Sequence, residues 1–203
     1  NAPPGVYPDE AINGEDALRA NSTGNYQWFY QYNTGREGLF MNLIALCFKL
    51  FGISILTLKL PAILSGTLVI LGTFLLGREI FNKRIGLISS FLVAVSFWPL
   101  NFSRISFRAN LLPLILVFSF YFLWRGLRTR KISDFILGGF IFGIGMHTYI
   151  AFRIAPLILA AALISLILSR QNFLKQYWKA IVAFAIFAVI SAAPMFYTFY
   201  AHP

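Results

Sequence analysis

The chain of 203 residues is 58% hydrophobic and only 12% charged, with a mean hydropathy of +0.71, whereas a soluble domain has about a quarter of its residues charged. This excludes an ordinary soluble protein and indicates a polytopic membrane protein. A formal charge of +10 would suggest nucleic acid in a soluble chain, but here the basic residues bracket apolar runs, the pattern of topology signals rather than of a nucleic-acid surface.

The opening residues are polar and rich in Asn and Gly, and four of the seven acidic residues, Asp9, Glu10, Glu15 and Asp16, fall within eight positions. A short helix is expected near 9–20, with Glu15 and Asp16 on its exposed side. "GLFMNLIALCFKLFG", 38–52, is too short for a span of about 20 apolar residues and reads as a helix lying in the interface. Cys47, the single cysteine, excludes an internal disulfide or a cysteine zinc site and reads as a buried, inert thiol. Spans are expected at 57–80, 85–102, 110–127, 134–150, 154–169 and 180–200. The fold class is therefore all-α. Residues 1–56 should form an extracytoplasmic loop with short interfacial helices, and 57–203 a transmembrane bundle of about six helices. The chain lacks an initiator Met and stops abruptly after "FYAHP", so it is expected to be part of a longer protein.

Three basic loops, around 78–84, 125–131 and 170–179, hold ten of the 17 basic residues, and the positive-inside rule makes that side cytoplasmic. The other side then carries the acidic opening loop, "NFSRISFRAN" (101–110) with Ser106 expected to face solution, "HTYIAFR" (147–153) and "YAHP". Trp28, Trp98 and Trp178 fall near expected interfaces. A charge at mid-bilayer costs at least about 2.5 kcal/mol, so Arg104, Arg108 and Arg153 should face a protein-lined cavity. Gly139 and Gly143 in "GGFIFGIG" have the small-xxx-small spacing that lets two helices approach. "NST" and "NFS" match the glycosylation triplet, a cheap signal. Phosphate-binding glycine loops, zinc helices and dinucleotide fingerprints are absent from the sequence.

Convergence of carboxylates and guanidinium groups on one face fits a sugar carried on a polyprenyl phosphate. The lipid stays in the bilayer, Arg forks match phosphate oxygens, and one carboxylate deprotonates an acceptor hydroxyl. Phosphate leaves readily as an anion, so the second carboxylate acid of a glycosidase is dispensable.

"PDEAINGEDALRANSTGNY", "NTGREGLFMNLIALCFKLFGIS", "LKLPAILSGTLVILGTFLLGREIFNKRIGLISSFLVAVS" and "NFSRISFRAN" resemble, in order, the start of glycosyltransferase family 39, the protein-mannosyltransferase and aminoarabinose-transferase-like group of the C-type membrane fold. The resemblance implies a transmembrane helix ahead of the acidic loop. It maps the family's Asp-Glu pair onto Asp9, as catalytic base, and Glu10. Ser103 and Arg104 match the "SR" of the second outward loop, and "HTYIAFRIAPL" resembles a third outward turn, with Tyr149 and Arg153. Relatives often read Pro-Pro before an interfacial helix where Glu37 and Gly38 stand, with Arg36 ahead of them. They place an acid a few residues after the matched Arg, where this chain has Arg108 and Asn110, so a divalent metal shared by both loops is left open as a cofactor.

The implied function is transfer of a sugar from a polyprenyl-phosphate donor to a lipid, glycan or protein hydroxyl outside the plasma membrane. Asp9 and Glu10 would be catalytic, and Arg104, Arg153, Tyr149, His147, Arg36 and Glu37 would bind substrate. Structural readings stand beside these: Asp9 as a helix N-cap, Arg104 as a headgroup anchor, Arg36 and Glu37 as a mutual ion pair, and His147 as a hydrogen-bonded histidine at the membrane edge. The rival functions are a lipid-linked-sugar transporter or flippase and a non-catalytic membrane scaffold.

Overall fold

The computed structural model describes residues 6–31 and 35–201; His202 and Pro203, the end of the expected outward "YAHP", lie outside the described residues. Among these are nine α-helices and one two-stranded ribbon.

Helix α1 (Pro8–Thr23) starts on Pro8, whose missing N–H costs nothing in a first turn, and the Glu10 carboxylate accepts the Tyr7 N–H at 2.9 Å. It ends at Gly24 in the left-handed region, φ 70°. Its buried face, Asn13, Asp16, Ala17 and Ala20, repeats every three to four residues as a helix on a surface must. Asp16 therefore points inward, correcting the expectation that it is exposed, while Glu15 remains exposed and pairs with Arg19. Strands β1 (Phe29–Tyr30) and β2 (Arg36–Glu37) are antiparallel, with Phe29 opposite Glu37 and Tyr30 opposite Arg36. Helix α2 (Leu39–Phe51) buries Phe40, Met41, Ile44, Ala45 and Phe48 and leaves Leu46, Leu50 and Phe51 exposed, apolar on both sides as suits a helix at the edge of a bilayer. Cys47 is half-buried.

The bundle follows as α3 (Ile55–Ile80), α4 (Lys83–Val95), α5 (Phe97–Arg104), α6 (Leu111–Thr129), α7 (Ile132–Ile144), α8 (Ala155–Ser169) and α9 (Phe173–Ala201). The expectation of about six spans is met by fewer full-length helices. Four segments, 55–80, 108–129, 150–169 and 173–201, are long and apolar enough to cross a membrane. The expected 85–102 span is the bent pair α4–α5, which meets at 56°. Pro99 stands in the first turn of α5, where its ring would clash with the carbonyl four residues back if the helix ran straight, and Ser96 is extended at the break. The segment 132–147 is apolar but shorter; it packs between α6 and α9. Gly139 and Gly143 lie directly against the α9 backbone at Phe184 and Ala188, as the small-residue spacing leads one to expect.

Two cores hold the fold. One joins α1, α2 and the first turns of α3 and α6 through Ala17, Phe40, Ile44, Leu58 and Leu111; the other joins α6 to α9 through Phe135, Phe142, Phe152, Phe173 and Phe184. Chain reversals sort to two ends. At one end Glu79 pairs with Arg128, Thr129 donates to Asp134, and the Tyr177 hydroxyl donates to the Leu127 carbonyl at 2.9 Å; all three basic loops lie there. At the other end α1, the ribbon, the 101–110 turn, the 145–154 turns and the last turns of α9 meet.

Candidate active site

Asp9 is in the first turn of α1, exposed, and among the described residues it accepts no hydrogen bond. The N-cap is Tyr7, so the capping role is not Asp9's. Glu10, one position on, is fully buried: Oε2 takes the Tyr7 N–H, and Oε1 faces Lys59 Nζ at 3.4 Å without a hydrogen bond. Glu10 thus anchors α1 to α3 while its neighbour faces solution.

Arg36 and Glu37 do not pair with each other. Successive strand side chains point to opposite faces, so Arg36 turns toward α1, donating to Asn13 Oδ1 at 2.9 Å and pairing with Asp16. Glu37 turns the other way and pairs with Arg108 at 3.2 Å. Both are nearly inaccessible, and burial pushes the Asp16 carboxyl up against the pull of Arg36 and Arg19. Arg108 lies over the Tyr149 ring, 5.4 Å from its centre, and is within electrostatic reach of Asp9, Glu37 and Arg36.

The 101–110 turn is locked rather than mobile. Ser106 is fully buried with φ 45°; its hydroxyl donates to the Leu58 carbonyl at 2.7 Å, and its own carbonyl faces Asn13 Nδ2 at 3.4 Å. The expectation that Ser106 faces solution is therefore wrong: the turn folds over α3, and the buried hydroxyl finds its acceptor in the Leu58 carbonyl. Asn110 donates to the Ala62 carbonyl at 2.8 Å and is structural too. Arg104, the last residue of α5, is exposed and has no ion pair among the described residues.

A cavity of about 360 Å³ opens beside this cluster, lined by Glu37, Arg153, Met146, Met195, Phe196 and Phe199. One carboxylate and one guanidinium stand in an otherwise apolar wall, which suits a ligand with an anionic head and a hydrocarbon body. Arg153 is exposed on the 150–154 turn and has no ion pair among the described residues. His147 is buried behind the site: Nε2 lies 2.9 Å from the Ser191 carbonyl, Nδ1 has no partner among the described residues, and Trp28 covers the ring at 5.1 Å.

The structure thus brings Asp9, Glu37, Arg108, Tyr149 and Arg153 to one locality, sets Glu10 and Arg36 in the supporting layer beneath, and leaves Arg104 on the same end of the bundle. Asn13, Asp16 and Lys59 are supports that the sequence did not flag. A signal for two of them existed: positions 9, 13 and 16 fall on one helical face. Among the described residues no three His, Cys, Asp or Glu side chains gather as a metal group would require.

A family model described as dolichyl-phosphate-mannose-protein mannosyltransferase matches residues 39–196. Neither a curated protein nor a solved structure matches the chain.

Proposed function

Because the chain belongs to the dolichyl-phosphate-mannose-protein mannosyltransferase family and is therefore a membrane glycosyltransferase, we propose that it takes its sugar from a polyprenyl-phosphate donor and transfers it to a hydroxyl on the extracytoplasmic side. The observation that carries this reading is the Glu37–Arg108 ion pair at the wall of an apolar cavity that Arg153 also lines, at the end of the bundle where Asp9 is exposed.

The acceptor oxygen attacks the anomeric carbon as its proton passes to Asp9. The bond from that carbon to the phosphate oxygen breaks, and the electron pair leaves with the lipid phosphate. Attack opposite the leaving group inverts the centre. Arg153 and Arg108 hold the phosphate, where fixed cations aimed at developing charge contribute most. Glu37 and the Tyr149 ring fix the Arg108 fork, so little side-chain entropy is lost on binding. Arg104, at the rim, guides the anionic head in. Met195, Phe196 and Phe199 of α9 take the first isoprene units. Glu10 orients α1 through Lys59, and Arg36 fixes the base-bearing helix to the ribbon. His147 supports the floor without touching donor. The basic loops at the far end support an extracytoplasmic site by the positive-inside rule.

Asp9→Asn in the purified protein, supplied with labelled polyprenyl-phosphate sugars and acceptor, should lower acceptor-dependent release of lipid phosphate by about 10²–10⁴-fold with membrane insertion unchanged. Retained turnover would remove Asp9 from the mechanism. Acceptor-independent movement of the intact donor across vesicles would favour a flippase, and absence of both activities a scaffold.

A further inference from the structure

A second and larger cavity, about 760 Å³, lies against the first. It is bounded by Asn25, Tyr26, Gln27, Trp28, Phe29 and Gln31 on the loop leading through β1, and by the last turns of α9 at Tyr197, Thr198 and Ala201. Phe29 and Phe199, ring centres 5.0 Å apart and edge to face, form the partition: Phe29 lines the large cavity and Phe199 the small one. Phe29 is also the register partner of Glu37 across the ribbon. One aromatic pair thus separates the space proposed for donor phosphate from this cleft. Its volume lies within the range of small-molecule sites, about 300–1,000 Å³.

We propose that this cleft is the acceptor subsite and that the acceptor is an uncharged carbohydrate rather than a protein; the proposal rests on the transfer reaction above.

The lining has the chemistry for a sugar. Among the described residues it contains no charged side chain. The side-chain amides of Asn25, Gln27 and Gln31 make no hydrogen bond with another described residue, so each offers a donor pair and an acceptor to a hydroxyl. Trp28, Tyr26 and Tyr197 leave 48%, 46% and 72% of their surfaces exposed. Such broad faces cover the C–H side of a pyranose while a polar edge stays wet.

The platform is already rigid. The Trp28 carbonyl accepts from Gly38 N at 2.8 Å, the Gln27 carbonyl from Asn42 Nδ2 at 2.9 Å, and the Tyr30 hydroxyl donates to Asn42 Oδ1 at 2.8 Å. Asn21 binds the Ala45 carbonyl and the Tyr26 hydroxyl. Each of those main-chain carbonyls already accepts one hydrogen bond from the ribbon and α2, which holds the segment in place. Recognition is left to amides and ring faces. A bound sugar would present one hydroxyl past the Phe29–Phe199 pair; its oxygen forms the new bond to the anomeric carbon, its proton goes to Asp9, and the lipid phosphate departs.

The test uses the intact protein in lipid nanodiscs, with neutral oligosaccharides and a Ser/Thr-rich peptide as probes. Binding without donor is read by tryptophan fluorescence and saturation-transfer NMR, and transfer by labelled donor. Oligosaccharide should bind, and Trp28→Ala, Gln31→Ala and Tyr197→Ala should each weaken it by about tenfold or more and raise the acceptor KM in parallel. If Trp28→Ala fails to fold because His147 loses its cover, the two exposed positions carry the result. Sugar binding that all three variants leave unchanged, or peptide glycosylation with no sugar binding, overturns the proposal. Sugar binding that is lost in the variants while no donor is turned over spares the cleft and strikes the transfer reaction. Transfer to sugars with an unaltered KM strikes the cleft alone.

Discussion

Arg36 and Glu37 are adjacent in the chain but serve opposite faces of the ribbon, and their neighbourhoods decide what each substitution does. Removing Arg36 leaves the buried Asp16 carboxylate and the Asn13 amide oxygen unpaired. Loss of one partner of a buried ion pair costs about 3–5 kcal/mol, so Arg36→Ala should lower the detergent-solubilised melting temperature far more than Glu15→Ala, whose pair with Arg19 is exposed. Scanning calorimetry of the two variants gives the comparison; equal shifts would mean the Arg36–Asp16 pair does not hold α1 to the ribbon. Ser106 offers a second check. It is sealed beneath the outward turn and bonded to Leu58, so Ser106→Cys in a background lacking Cys47 should stay unmodified by an impermeant maleimide while the protein is folded and react once it is denatured. Asp9 is proposed from a local motif. Arg108 was expected to face a cavity, but its pairing with Glu37, 71 positions away, spans a distance no local pattern covers.

Helices were legible where periodicity and caps agree. The boundaries of α1 and α2 follow from Pro8, Gly24 and Gly38, and the glycine spacing of α7 anticipates its close approach to a neighbour. The identity of that neighbour, α9, was not readable, since any helix with a smooth face would satisfy the spacing. Gly139→Val would drive a side chain into the Phe184 backbone. Overpacking of this kind costs about 1–3 kcal/mol where side chains can yield; backbone yields less, so monodisperse protein recovered by gel filtration should fall sharply. Wild-type recovery would show that α7 and α9 tolerate separation. The bend at Ser96 was hidden for a different reason. Hydropathy runs without interruption through 85–102, and only the steric demand of Pro99 breaks the span. The same demand turns α5 and Arg104 at the foot of the outward turn.

The two ends of the bundle differ in chemistry as well as in topology, one rich in basic loops and the other holding Asp9, Glu37 and the two cavities. Cysteines at Thr23 and Gln171, both exposed and at opposite ends, should report this in intact cells lacking Cys47: Thr23→Cys labels with an impermeant reagent from outside, Gln171→Cys only after permeabilisation. The reverse pattern would place the site in the cytoplasm and end the proposed topology.

Composition and apolar periodicity sufficed for membrane residence, all-α character and the sorting of loops to two ends, because each depends on residues close in sequence and on a bilayer that imposes one length scale. Family resemblance added Asp9 as the proposed base. Which carboxylates are structural, which cation pairs with Glu37, and the presence of two cavities divided by Phe29 and Phe199 were decided only by tertiary packing. These depend on loops separated by most of the chain, and their side chains meet only when helix lengths, the Pro99 bend and the ribbon register have brought the loop ends together.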